Sequence, residues 1–229
     1  MDVCDFHSHI LPGVDHGSYS LEESLAQLAL ARKNGVTRIV ATSHFYPHNE
    51  SVEAFLKRRD EAYMLLKSIC GDDHPDLRLG AEVLLCAGLD EIPMLDELCI
   101  HGTKAILIEL PFNDFGQEYI RSVRGLIERG YRVILAHAER YDLDNIEMML
   151  ETGAVLQVNA HSLTSVFSKR IFASWLERKK VAAIGSDIHG VDKRAYKRFC
   201  RACKRLGSYA EEVKRVSDSI WSSSTPFDS

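Results

Sequence analysis

Asp5-Phe6-His7-Ser8-His9 opens the chain with two histidines one residue apart, directly after the apolar pair Val3-Cys4. Successive side chains of a β-strand alternate between faces, so a strand ending here sends His7 and His9 out on the same side. Two neutral imidazoles at one strand end suit a divalent transition metal, although an isolated His-x-His serves equally as a core or surface pair. The same residue types recur after later apolar runs. His44 follows the β-branched run 37–42, Glu82 falls in 77–83, and Glu109 ends 104–109. His137 follows 132–136, and Asp187 and His189 follow 181–186, so these groups span about 180 positions.

The elements that must carry them alternate strictly. Ser20-Leu21-Glu22-Glu23 has the form of a helix N-cap with a reciprocal glutamate, and Leu21, Leu25, Leu28 and Ala29 continue at helical spacing up to Asn34-Gly35. Further amphipathic segments over 52–70, 118–129, 143–152 and 169–178, with a weaker one over 90–98, separate the apolar runs, including 155–158 ahead of Asn159 and His161. Seven strand and helix rounds imply right-handed crossovers and a parallel sheet buried on both faces, and their number suggests a closed or nearly closed barrel. The expected fold class is therefore α/β, a closed or nearly closed β/α barrel of seven rounds forming one domain over residues 1–221. Two more helices, 193–206 and 209–221, are expected to pack outside it, and 222–229 to be a frayed tail. In such a barrel all strand ends share one face, where active sites are built, so the scattered ligands converge in one cleft.

Composition narrows the possibilities. With 229 residues and 45% hydrophobic content the chain can bury a full core. A formal charge of -5 gives no general attraction to nucleic acid or to an anionic membrane. The sequence has no apolar run of transmembrane length and no signal-peptide pattern, so a cytoplasmic protein without membrane insertion is expected. Cys4, Cys70, Cys86, Cys99, Cys200 and Cys203 lie in apolar or helical contexts, which favours free thiols in a reducing compartment. No Cys-x5-Arg loop and no glycine-rich nucleotide loop is present, which removes cysteinyl-phosphate chemistry and the standard nucleotide folds. The nitrogen and oxygen donor set without thiolate favours Mn, Fe or Zn, and eight donors suffice for two or three ions.

These motifs carry a resemblance. His7-Ser8-His9-Ile10-Leu11-Pro12-Gly13-Val14-Asp15, Ala41-Thr42-Ser43-His44, Gly80-Ala81-Glu82, Ala136-His137-Ala138-Glu139-Arg140-Tyr141, Gln157-Val158-Asn159 and Ser186-Asp187-Ile188-His189 resemble the PHP (polymerase and histidinol phosphatase) superfamily. The similarity is greatest to manganese-dependent protein-tyrosine phosphatases of the bacterial capsular-polysaccharide type. It runs in order from residue 3 to about 195. It implies a distorted (β/α)7 barrel of PHP type with a trinuclear metal centre, Mn first with Fe or Zn as alternatives, and a tyrosine-phosphorylated protein as partner, the tail of a bacterial tyrosine kinase controlling polysaccharide export. Carried over by position, His7, His9, Glu82, Glu109, His137 and Asp187 bind the two more buried ions, and His44 with His189 binds the third. The chain departs from that pattern at Asp15-His16, where an acidic pair is usual, so His16 stands as the remaining metal candidate.

The mechanism expected is attack of a metal-bridging hydroxide on phosphorus, with Arg140 holding phosphate oxygens and a metal-bound or histidine-donated proton, His44 being the candidate, assisting the leaving oxygen. Arg194 is a second phosphate candidate, set against its place in the solvated run Lys193, Arg194, Lys197, Arg198, Arg201. Three rivals remain: a phosphoesterase for histidinol phosphate or another small phosphoester, an amidohydrolase, and a non-enzymatic metal-binding relic. The amidohydrolase is disfavoured by Glu109 standing where that class supplies a lysine. Cys200-x-x-Cys203 reads as two packed helical thiols, and the oligomeric state is open.

Overall fold

The computed structural model describes residues 3–112, 115–164 and 169–222. Nine strands alternate with seven α-helices: β1 (Val3–Ser8), α1 (Leu21–Lys33), β2 (Val36–Ala41), β3 (His44–Phe45), α2 (Val52–Ile69), β4 (Asp76–Leu79), β5 (Glu82–Leu84), β6 (Ala105–Glu109), α3 (Gln117–Glu128), β7 (Arg132–Leu135), α4 (Leu143–Glu151), β8 (Val155–Asn159), α5 (Lys169–Glu177), β9 (Val181–Gly185), α6 (Ala195–Arg205) and α7 (Ala210–Ser222). The helix starts are chemically marked. Ser20 Oγ accepts from Glu23 N at 3.3 Å, Ser51 Oγ from Ala54 N at 3.2 Å, and Asp142 Oδ1 from Asp144 N at 2.9 Å. Glu23 reaches back one residue further than a standard capping box and accepts from Tyr19 N at 2.8 Å.

All strand pairs are parallel and form two sheets, ordered β1-β2-β4 and β3-β5-β6-β7-β8-β9. The second and third strand positions are each split in two: β3 continues the second beyond its expected end at Thr42, and the third, expected to be continuous over 77–83, is interrupted. The second breaks at Thr42-Ser43, where Ser8 N donates to Thr42 Oγ1 at 3.1 Å and Thr42 N to Ser8 O at 2.9 Å. The third breaks at Gly80-Ala81, where a Cβ on Gly80 would meet Val40 Cγ1 at 3.3 Å. With each broken strand taken as one, seven strand positions remain. The last returns to the first through Asp187 N donating to His7 O at 2.8 Å, His9 N to Ile188 O at 3.3 Å and a parallel bridge between Ser8 and Ile188.

Helices and sheet share a core in which Leu28, Phe55, Leu66, Val123, Leu126, Met149 and Trp175 pack against Ile39, Val83, Ile106, Val133 and Leu156. A second cluster contains Phe6, Val40, Ala105, Leu107, Ile134 and Ile220. Ala105 and Leu107 share a face of β6 with Glu109, so this apolar layer lies directly beneath the charged site. Ile220 belongs to α7, which does not pack outside the strands like the other helices. It crosses their starting ends, with Arg38 Nη2 on Asp218 Oδ1 at 2.5 Å, Arg132 Nη1 on Ser219 Oγ at 3.2 Å and the Arg78 guanidinium 4.3 Å from the Trp221 ring centroid. The helix runs through Ser222, and residues 223–229, where a frayed tail is expected, lie outside the described residues.

Candidate metal centre

Parallel register sets the site. His44 stands opposite Glu82 across β3 and β5, and Leu84 opposite Glu109 across β5 and β6, so ligand-type side chains from three strands meet at one end. Glu82 is the centre. Its fully buried Oε2 lies 3.0 Å from His44 Nδ1, 3.1 Å from His7 Nε2 and 3.2 Å from His9 Nε2, while Oε1 accepts from His137 Nε2 at 2.7 Å. Asp187 Oδ1 lies 3.6 Å from His7 Nε2, 3.5 Å from His9 Nε2 and 3.6 Å from His189 Nδ1. The two oxygens of Glu109 are each 3.7 Å from a histidine nitrogen, one of His44 and one of His137.

The supporting side chains orient this set. Gln157 Oε1 accepts from His137 N at 2.8 Å and lies 2.9 Å from His7 Nδ1, and Gln157 Nε2 donates to Asn159 Oδ1 at 2.9 Å. Asn159 Nδ2 donates in turn to Asp187 Oδ2 at 2.9 Å. Asp15 Oδ2 holds His9 Nδ1 at 2.8 Å and accepts from His44 N at 3.0 Å, while Oδ1 accepts from Gly17 N at 2.8 Å. Gly17 cannot be replaced without displacing that loop, because a Cβ would fall 2.1 Å from His9 Cβ. Carboxylates and amides of this kind fix the tautomer and aim of a ligating imidazole.

Electrostatics follow from burial against pairing. Burial would lower His7, yet Glu82 and Asp187 lift it to about 9, and His9 also rises well above its ordinary value through Asp15, Asp187 and Glu82. Burial would raise Glu82, but the charge of His7 and the bond from His137 hold it well below the carboxylate range. Glu109, buried and facing the charge of Glu82, is pushed up to about 7. Burial depresses His44 to about 4 and lowers His137 and His189.

Such a set fits divalent cations. Glu82 Oε2, His44 Nδ1 and His137 Nδ1 are buried without a properly aligned hydrogen bond, although ring nitrogens surround that carboxylate oxygen at hydrogen-bond distance. Buried polar atoms normally find partners, and a cation is the partner that several converging lone pairs share. Three triads have ligand atoms within 4.8 Å of one another: His7, His9 and Glu82; His44, Glu82 and Glu109; and His9, His44 and His189. They share members, which describes neighbouring positions in one cluster.

The structure thus brings together His7, His9, His44, Glu82, Glu109, His137, Asp187 and His189. His16 is exposed at the rim, with its ring stacked 4.9 Å from that of His44 and 4.6 Å from that of His189, outside the three triads. Arg140 donates through Nη2 to Asp187 Oδ2, and its side chain is 40% exposed, leaving part of it open to solvent. Arg194 is exposed at the start of α6, its backbone N donating to Asp192 Oδ1 at 2.8 Å. Arg198, one turn later, lines the 210 Å³ cavity that also touches His161, Asp187 and His189. Sequence reasoning missed an aromatic rim. Tyr46 stacks on His44 at 5.3 Å, Tyr141 lies 5.5 Å from His137, and the 67% exposed Phe112 lies 5.4 Å from Tyr141. Their signal is position, since each follows a ligand-bearing strand end by two to four residues.

The comparisons with known proteins bear on the family and the fold. The chain is 28% identical to the tyrosine-protein phosphatase CpsB of Streptococcus pneumoniae over 84% of its length and 85% of that protein's. It is 28% identical to the tyrosine-protein phosphatase YwqE of Bacillus subtilis over 85% and 80%. A solved structure from work on YwqE and CpsB, described as metal-dependent tyrosine phosphatases, superposes with a TM-score of 0.78 at 21% identity, covering 98% of this chain and 96% of that one, and confirms the fold. Among the described residues no helix is long and apolar enough to cross a membrane. Residues 3–213 match the family described as capsular polysaccharide synthesis, CpsB/CapC, and the chain belongs to that family.

Proposed function

We propose that the chain is a metal-dependent phosphomonoesterase acting on phosphotyrosine in proteins of capsular or exopolysaccharide synthesis. The observation that carries this reading is Glu82, a buried carboxylate with three imidazole nitrogens about one oxygen and no hydrogen bond to any of them, in a chain whose relatives are named tyrosine-protein phosphatases. His7, His9, Glu82, Glu109, His137 and Asp187 would hold two divalent ions, and His44 and His189, with His16 at the rim, would hold a third. Mn is the first candidate on the family resemblance, and the oxygen and nitrogen donors fit Fe or Zn as well. Bound divalent ions supply Lewis-acid stabilisation of phosphoryl oxygens and a nucleophile from water at neutral pH.

The protein's own groups do the rest. Arg140 is anchored by Asp187, so the remainder of its planar fork is pre-aimed to donate to non-bridging phosphate oxygens. The Tyr46, Phe112 and Tyr141 rim offers aromatic faces to the phenyl ring of the substrate. The leaving phenolate has a free pKa of about 10, so proton donation to it is a minor requirement, which is compatible with a His44 that burial holds neutral. Gln157, Asn159 and Asp15 keep the imidazoles aimed throughout. The test is turnover of p-nitrophenyl phosphate and of a phosphotyrosine peptide, beside histidinol phosphate. Chelation abolishes turnover of the first two, Mn restores it, and His7→Ala does not respond. Full activity in chelator, or preference for histidinol phosphate, refutes the proposal.

A further inference from the structure

Helix α6 is out of keeping with the rest of the molecule. The chain carries a formal charge of -5, yet Lys193, Arg194, Lys197, Arg198, Arg201, Lys204 and Arg205 place seven cations in thirteen consecutive positions without one acidic residue among them. All seven are exposed, while Tyr196, Phe199 and Ala202 turn inward and fasten the helix to the core. The one ion pair described for this ridge is Arg198 with Asp192, which precedes the run. Two shallow grooves run along it, one lined by Arg194, Lys197, Arg198 and Arg201, the other by Asn34, Lys197, Cys200, Arg201 and Lys204. The ridge is continuous with the reaction cleft, because Arg198 lines both the first groove and the cavity at Asp187 and His189.

Concentrated charge of one sign raises the local concentration of an oppositely charged partner, and a guanidinium row recognises carboxylate or phosphate by paired hydrogen bonds. A membrane surface is disfavoured, since none of the large exposed apolar side chains lies on α6. Resting on the phosphatase reading, we propose that the α6 ridge docks an acidic or multiply phosphorylated segment of the same polypeptide that presents its phosphotyrosine to the metal cleft. From Arg194 to Arg205 the helix rises about 16 Å at ~1.5 Å per residue. An extended chain covers that distance in roughly five residues at ~3.3 Å each. The substrates favoured therefore carry several negative groups within about five positions on one side of the target tyrosine.

The test compares wild type with Lys197→Glu/Arg201→Glu, two positions outside the metal cluster. Fluorescence anisotropy in chelator measures binding of three labelled probes: a phosphotyrosine peptide flanked by acidic residues, the same peptide with neutral flanks, and a single-stranded oligonucleotide. Exposed ion pairs contribute factors of about 1.4 to 5 each, so reversing two charges should weaken the acidic peptide roughly tenfold or more at low ionic strength. High salt should erase the difference. The neutral peptide, and kcat/KM for p-nitrophenyl phosphate, should change less than twofold. Equal loss for both peptides, no loss for the acidic one, or tighter binding of the oligonucleotide than of the acidic peptide overturns the docking proposal. Absence of metal-dependent p-nitrophenyl phosphate turnover in wild type overturns the phosphatase reading instead, and the binding comparison still reports on the ridge.

Discussion

Replacing Gln157 by leucine separates the orientation of the site from its ligands. Gln157 is fully buried, and its Oε1 accepts from the backbone N of His137 at 2.8 Å. A backbone N–H can only donate, so that atom is the amide oxygen and the amide orientation is fixed. His7 Nδ1, 2.9 Å from the same oxygen, must then carry a proton, so that in the neutral form a metal ligand requires, the Nε2 lone pair is aimed at the side of Glu82 and Asp187. Leucine matches the volume but strands two donors on residues no more than 1% exposed. Each stranded buried donor costs about 1–3 kcal/mol, a sum of roughly 2–6 kcal/mol. For a chain of this size the lower figure corresponds to a fall in Tm of about 4–8 °C. Loss of a partner that orients a metal-ligating histidine weakens metal affinity about 10- to 100-fold. Gln157→Glu keeps the acceptor and should retain more affinity than the leucine variant. Competition for Mn against a chromophoric chelator, with circular dichroism to confirm folding, measures the effect. A folded Gln157→Leu protein with wild-type Mn affinity refutes the reasoning.

Metal added to chelated protein should raise Tm: at a hundredfold excess over Kd one site contributes about 2.7 kcal/mol, or roughly 5–11 °C, and a thermal scan without a shift under Mn, Fe and Zn would rule out a resident metal. Arg140→Lys keeps the charge and loses the fork, so kcat/KM for phosphotyrosine peptide should fall about 10- to 100-fold, in line with ~1.5–3 kcal/mol for a hydrogen bond to a charged group; unchanged kinetics would remove Arg140 from phosphate binding. Phe112→Ala, at a residue 67% exposed, should leave Tm unaltered and raise KM for phosphotyrosine peptide while sparing glycerol phosphate, and a parallel change with both esters would deny it a role in recognising the ring. Ile220→Ala, 1% exposed at the strand starts, should cost about 2–5 kcal/mol in urea unfolding without altering Mn affinity in the folded state; reduced affinity there would mean that α7 is coupled to the far end of the strands.

The sequence reveals the strand-end ligands because two independent patterns coincide: apolar runs, several of which follow a glycine-marked helix stop, and His, Asp or Glu at the end of six of the seven runs, the run 155–158 leading instead to Asn159. Gln157 carried a usable signal, a polar amide inside the buried run Val155–Asn159, since such a residue must bond something specific. The role of Asp15 was not legible. It meets His9 only because the loop folds back at Gly17, and nothing in the spacing of six residues dictates that. Arg194 and Arg198 lie one helical turn apart on one face, so periodicity cannot tell them apart; the difference comes from Arg194 occupying the cap of α6 while Arg198 projects along the cavity. The inward pattern of Val213, Ser217 and Ile220 shows that α7 has a buried face but not which surface it covers. That depended on where the strand starts gather, a feature of the assembled sheets and not of any segment.

Backbone conformation shows how the site is held in place. Four described non-glycine residues have positive φ, and two of them, His137 at 33° and Asp187 at 52°, carry candidate ligands directly after β7 and β9. The left-handed region costs an ordinary residue about 1–2 kcal/mol, and it persists only where neighbours over-determine it. Both peptides are clamped by the same pair: His137 N donates to Gln157 Oε1 at 2.8 Å, and Asp187 N donates to His7 O at 2.8 Å. Gly185 admits this arrangement, because a Cβ there would lie 2.5 Å from His7 Cβ and 2.7 Å from Gln157 Nε2. Without the left-handed turn a side chain after β7 or β9 would continue the alternation of the strand; with it, His137 and Asp187 swing towards Glu82 and the His7-His9 pair. The strain therefore sits at the two strand ends whose side chains must leave the strand direction, and the residue pair that counters it is the one that fixes the His7 tautomer. Loosening the Gln157 to His7 contact should disturb three candidate ligands at once, which is why a change that removes no ligand is the sharper probe of this metal centre.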